Sequence, residues 1–266
     1  MRLVRAFLTR DFRVLRSYRL AFLVQLAGFL VIVPSLAFLA RLVPGNQASL
    51  QPYGGDYFTF VLIGSGVLTF FTVALTSFAD TFGLEQTTGT LEALLVTPND
   101  PRVLLVGGAL YPFIFSAVEL ALFLVAGVAV FGARIAPGNL LLVCGALLLS
   151  LLAFSALGLL AAALLIQTKR AALVVGMAAG LFGILGGVMY PVSVLPGWLS
   201  GLAQLLPITY GIDAIRLSLL PSPDLGRIGK DLLTLGAFAA VLLPAALLLF
   251  GWSVDRARRQ GSIGHY

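Results

Sequence analysis

Histidine and cysteine each occur once in the chain, at His265 and Cys144. One histidine leaves no ligand set for bis-histidine haem, zinc or a di-iron centre, so no metal is expected. It also leaves Ser65, in the "GSG" of Gly64 to Gly66, without a general base to activate it. A lone cysteine cannot close an internal disulfide and is most simply a small packing residue. The phosphate cradle G-x-x-x-x-G-K-[ST] is missing as well. The one Gly-Lys pair, Gly229 and Lys230, is followed by Asp231. No catalytic constellation and no nucleotide or cofactor site is therefore expected on this chain, and any use of ATP requires a separate protein.

Charge is scarce too, at 11% of residues against 59% hydrophobic. A mean hydropathy of +1.03 belongs to an integral membrane protein. A helical span takes about 20 mostly apolar residues, and six such runs occur, at 20–40, 57–79, 103–131, 140–166, 171–190 and 232–254. They are long and apolar on every face, unlike the alternating segments of about ten residues in a transmembrane barrel. The fold expected is all-α with six transmembrane helices, in one membrane domain over 1–266, with no internal repeat. Pro34, Pro112 and Pro244 lie within spans, where they are expected to kink helices and not to end them.

Lys and Arg in the loops set the orientation. With the N-terminus inside, twelve are cytoplasmic, against five outside, namely Arg41, Arg134, Arg216, Arg227 and Lys230. Both termini are therefore expected on the cytoplasmic side of a bacterial-type inner membrane. The net charge of +6 then answers to topology and anionic membrane lipids and calls for no nucleic acid. Residues 1–19 carry six arginines, with Arg10, Arg13 and Arg16 at three-residue intervals. This predicts an amphipathic interfacial helix ahead of span one, and nothing in it reads as a cleaved leader.

Two stretches break the apolar pattern. "EQTTGTLEALLVTP" lies in the cytoplasmic loop 80–102. A short helix is predicted from Gly89 to Val96, capped by Thr88 or Gly89, with Glu92 in its first turn and Pro98 ending it. Leu91, Leu94 and Leu95 then form an apolar stripe suited to another protein's groove. The other stretch lies in the forty-two uncharged residues between Arg170 and Asp213, too many for one span. A seventh span is disfavoured by Pro191, Pro196 and Pro207 and by the basic C-terminus it would place outside. The region 191–220 is read as a re-entrant helical hairpin broken at those prolines, the alternative being an ordinary amphipathic outer loop. Trp198 and Tyr210 suit headgroup level, and Asp213 and Arg216 are spaced for a modest surface pair.

Within the spans, Glu119 is the main anomaly, since an intramembrane carboxylate costs about 2.5 to 3.5 kcal/mol. It reads either as a pathway or proton-relay group or as a hydrogen-bonded packing residue. Ser65, Thr69, Thr72 and Thr76 share one face of span two, as a candidate substrate path or as glue between helices. Gly176, Gly180, Gly183 and Gly187 in span five suit close helix packing.

Together, "LEQTTGTLEALLVTP" and "YPVSVLPGWLSGLAQLLPITYGIDAIR" resemble the permease subunits of type-2 ABC exporters. The first is similar to that family's coupling helix, which docks on the ATPase subunit. The second is similar to its proline-rich re-entrant region, which ends in P-x-T-Y/H-x-x-D-x-x-R. The resemblance implies a coupling element made of Glu85, Gly89, Thr90, Leu91, Glu92, Leu94, Leu95, Thr97 and Pro98. It implies an outer gate containing Pro207, Thr209, Tyr210, Asp213 and Arg216, and a dimer interface and pathway at spans two and five. The implied assembly is a homodimer, or a pair with a similar permease, plus two P-loop ATPase chains that bind ATP and magnesium. The implied cargo is a hydrophobic or amphipathic drug, a lipid or a lipid-linked glycan, and the hydroxyl-rich, ring-poor face of span two tilts toward small amphipathic molecules. The rival readings are an ion-gradient-driven transporter or channel that titrates Glu119, and a membrane scaffold.

Overall fold

The computed structural model describes residues 19–43, 47–87, 101–136, 139–168 and 171–260, and among these the regular elements are helices. In chain order they are α1 (Arg19–Leu42), α2 (Tyr57–Thr87), α3 (Pro101–Phe131), α4 (Leu140–Thr168), α5 (Ala171–Leu185), α6 (Gly197–Gln204), α7 (Pro207–Ser218) and α8 (Leu225–Gln260), with 3-10 turns at Ala48–Tyr53 and Val192–Val194. Four stretches are long and apolar enough to cross a membrane, Tyr57–Thr81, Gly108–Phe131, Leu140–Leu164 and Leu225–Arg256. They answer to the second, third, fourth and sixth expected spans. Where the first and fifth were expected, the described residues hold the shorter apolar helices Ala27–Leu42 and Val175–Leu185.

Local chemistry moves three boundaries from where hydropathy put them. The fifth helix stops at Leu185, short of the expected 190, because Gly187 adopts φ 74°, a left-handed conformation that ends a helix. The last helix starts at Leu225, ahead of the expected 232, and takes in Arg227, Lys230 and Asp231. Asp224 caps it, its Oδ1 accepting from Arg227 N at 3.1 Å and its carbonyl from Ile228 N at 3.0 Å. The second helix continues through Asp80 to Thr87, so the expected loop 80–102 is helical at its start. That helix begins under a similar cap, with Thr59 N donating to Asp56 Oδ2 at 3.2 Å. Pro34, Pro112 and Pro244 all lie inside helices, as expected.

α2 is the central element. Of its apolar window 72% is buried inside the chain, against 17% for α8. It packs on α3, α4 and α7, with α1 and α5 along its flanks, while α8 lies along α4. Aromatic rings fill the centre: Phe71 stacks on Phe154 at 4.3 Å, and Phe154 meets Phe182 edge-on at 5.9 Å. The remaining helices turn apolar side chains such as Met177, Leu233 and Val241 outward, the arrangement expected where lipid or another chain replaces water.

Residues 191–220 form no continuous span. α6 has 8 residues and α7 has 12, each well under the length a bilayer crossing requires. Pro207 opens α7 at its first turn, where a missing N–H costs nothing. Most of α7 is buried against α2, α4 and α8.

Candidate functional site

Ser65 and Thr69 on α2 and Glu119 on α3 come together around a cavity of about 290 Å3. Its remaining wall includes Gly28, Phe29 and Ile32 of α1, Phe70 of α2, and Ser116, Leu120 and Phe123 of α3. Phe29 and Phe123 meet edge-on at 5.2 Å, which ties α1 to α3 beside the cavity. α2 can lie this close to α3 because residue 66 is glycine: a Cβ there would fall 2.7 Å from Leu120 Cδ1. Thr72 and Thr76 continue the hydroxyl face along α2, half-buried, and do not line the cavity.

The hydroxyls satisfy themselves locally. Ser65 Oγ donates to Val61 O at 2.7 Å, Thr69 Oγ1 to Ser65 O at 3.1 Å and Thr72 Oγ1 to Leu68 O at 2.9 Å. Such bonds back to the preceding turn let a hydroxyl sit in an apolar helix without an orphaned proton. The small-residue face of α5 is open. A Cβ added at Gly176 or Gly180 would meet none of the described residues within 4 Å, so close packing among those residues does not account for these two glycines. Gly183 approaches Leu68, and Gly187 lies beyond the helix.

A second polar constellation joins α7 to the starts of α2 and α8. The expected surface pair of Asp213 with Arg216 is replaced by two separate arrangements. Asp213 Oδ2 lies 2.6 Å from Arg227 Nη2, which also donates to Tyr53 Oη at 2.7 Å. Arg216 is buried and reaches the start of α2 and the turn after α5. Its Nε and Nη2 donate to Phe60 O at 3.1 and 2.8 Å, Nη1 to Gly187 O at 2.7 Å, and Nη2 to Val188 O at 2.6 Å. Its Cζ lies 3.5 Å from the centroid of the Phe60 ring, a cation–π contact. Gly64 makes the space, since a Cβ there would fall 2.1 Å from Nη2. Burial pulls the Arg216 guanidinium below its ordinary pKa, opposed by Tyr53 and Asp213, while burial followed by Asp213 pushes the Tyr53 phenol up.

The threonine and tyrosine of "PITYGIDAIR" clip α6 to α7. Thr209 Oγ1 donates to Ala203 O at 2.7 Å and Tyr210 Oη to Gln204 O at 2.8 Å, capping carbonyls at the end of α6. Pro191 is buried and precedes the 3-10 turn, Pro196 precedes α6, and Trp198 is exposed. Sequence reasoning missed Gly64, Tyr53, Arg227 and Asp231 as parts of this constellation. Arg227 and Asp231 are four apart on α8, a spacing that was available as a signal once the helix is known to begin at Leu225. Of the predicted coupling element, Glu85 lies near the end of α2, whereas Gly89, Thr90, Leu91, Glu92, Leu94, Leu95, Thr97 and Pro98 lie outside the described residues. The interfacial helix predicted at the N-terminus lies outside them as well, up to residue 18.

The profile of the ABC-2 type transporter family matches residues 2–220, most of the chain. The chain belongs to this family. No curated protein matches it. Family membership makes it a multi-pass membrane subunit of permease type and implies an ABC transporter with a partner ATPase. The match runs through residues 85–98, the cavity residues and α7, so the motifs that pointed to the family lie inside the matched region.

Proposed function

We propose that this ABC-2 family chain is the permease of an ATP-driven exporter that works as a pair of permeases with two separate ATPase chains. The observation that carries the proposal is the family match over residues 2–220. In this reading α1 is the first span and the segment 171–190, α5 with the turn that follows it, is the fifth, making six, and the excess of Lys and Arg holds both termini in the cytoplasm of a bacterial-type inner membrane. α6 and α7 then dip back from the outer face as a re-entrant pair, acceptable at such depth because α7 is covered by protein. ATP and magnesium bind the partner ATPase, and this chain supplies no nucleotide or metal site.

Two surfaces support pairing. α2 is covered on most sides, and the side left open carries Thr69, Thr72 and Thr76. On α5 the open Gly176 and Gly180 let another backbone approach closely. A second copy placed against these faces encloses a hydroxyl-lined path between the two chains. Its cargo is hydrophobic or amphipathic, from among drugs, lipids and lipid-linked glycans. Closure of the ATPases pushes on the coupling element at 85–98 and on the N-terminal segment, and the helices at the interface rock. Glu92→Lys reverses the charge of the coupling helix and is expected to abolish cargo-stimulated ATP hydrolysis in the reconstituted assembly while the permease still folds. Wild-type stimulation in that variant defeats the coupling assignment.

A further inference from the structure

Where α7 meets the start of α8, two carboxyl groups share one arginine. Asp213 on α7 has donors at hand: Arg227 Nη2 lies 2.6 Å from its Oδ2, and the Tyr53 hydroxyl faces it too. Asp231 on α8 lies within hydrogen-bonding reach of Asp213 and is buried, at 6% exposure. Its Oδ2 has no hydrogen-bond partner among the described residues. The charges that act on Asp231 are Asp213, Arg227 and Lys230, and Tyr210 is near enough to feel it. Arg227 is engaged with Asp213 and Tyr53, Lys230 is exposed, and Tyr210 donates its proton to Gln204 O. Arg216, which also acts on Asp213, spends its donors on backbone carbonyls. Asp224 is exposed and caps Arg227 N. Of the other helices that touch α8, α4 carries no Asp, Glu, Lys, Arg or His, and Glu119 of α3 lines the cavity described above. Two ionised carboxylates are both acceptors, so they cannot bond to one another, and at this separation they repel. One proton turns either group into a donor to the other and removes an uncompensated charge from a buried position. Asp231 has the fewer donors, so the proton belongs there.

We propose that Asp213 and Asp231 form a proton-binding site, a carboxyl–carboxylate pair in which Asp231 carries the proton near neutral pH and donates it to Asp213, holding the start of α8 on α7. The site stands on this cluster, whatever drives transport. Raising the pH removes the proton, leaves two like charges face to face and loosens the junction. The native chain holds a proton that the unfolded chain gives up. The stability supplied by the pair is therefore fully present in acid, declines as pH rises from the ordinary carboxylate range, and is gone once the native pair releases its proton.

Infrared spectroscopy of the full chain in lipid nanodiscs reads the proton directly, as the carbonyl stretch of a carboxylic acid. At neutral pH the wild type is expected to show such a band that Asp231→Asn lacks, and alkaline solution is expected to abolish it. Other carboxyl groups, Glu119 among them, contribute to both spectra and cancel in the difference. Asp213→Asn removes the like charge and frees Arg227 for Asp231. It is expected to lose the band as well, and it serves if Asp231→Asn fails to fold. The amide of Asp231→Asn donates to Asp213 as the acid does but does not titrate. Its thermal unfolding midpoint is therefore expected to hold between mildly acidic and alkaline pH, where the wild type loses a few degrees. A neutral-pH band that is unchanged in either variant overturns the site, as does a midpoint that falls with pH as steeply in Asp231→Asn as in the wild type.

Discussion

At the residue scale, Arg216 is the most constrained group described. A buried guanidinium is expensive unless its donors are satisfied, and here its bonds go to the carbonyls of Phe60, Gly187 and Val188. Carbonyls have two lone pairs, so Phe60 O can serve both its own helix and the arginine. The result is a clamp that fixes α7 to the start of α2 and to the turn after α5. Gly64→Ala drives a methyl into the guanidinium and into Val188 O, which lies 2.4 Å from the added Cβ. Overpacking against a backbone is expected to cost about 1–3 kcal/mol. Arg216→Lys keeps the charge but not the planar fork, and is expected to lose about 1–3 kcal/mol as carbonyls go unpaired. Both losses are read from thermal unfolding in detergent, and hydrogen exchange should rise at 58–64 and 186–190. Unchanged midpoints in both variants contradict the clamp. The clamp was not legible in the sequence, because an arginine three residues from an aspartate on a short amphipathic helix reads as a surface ion pair.

At the scale of elements, apolar length located α2, α3 and α4 well, and the prolines of 191–220 pointed to two short helices, which are α6 and α7. Hydropathy failed where a polar group sets the boundary. It placed the start of the last helix beyond its three charged residues, whereas the Asp224 cap starts the helix ahead of them. This cap positions Arg227 against Tyr53 and Asp213, and it brings Asp231 into the buried region, where its Oδ2 has no hydrogen-bond partner among the described residues. Asp224→Ala is expected to cost about 0.5–2 kcal/mol. Amide exchange should quicken over 225–231 and stay unchanged over 240–256. Uniform protection along the whole helix would show that the cap does not hold its first turn.

At the scale of the whole molecule, α2 is nearly enclosed by its own chain, while α5 and α8 leave much of their apolar surface uncovered. Those uncovered faces need lipid or a second subunit. The sequence showed the hydroxyl stripe of α2 and Glu119 separately. Their meeting around one cavity depends on how α1, α2 and α3 pack, which periodicity along a single helix does not encode. The split of the stripe, with Ser65 and Thr69 at the cavity and Thr72 and Thr76 beyond it, follows from the same packing. That ATP hydrolysis on a separate chain drives this permease can be checked by isolating the chain from its native membrane in mild detergent and identifying by mass spectrometry what comes with it. A P-loop ATPase is expected at equal stoichiometry, lost when Leu91, Leu94 and Leu95 are all replaced by Asp. Absence of any ATPase across several mild detergents, or one that remains bound to the triple variant, contradicts it.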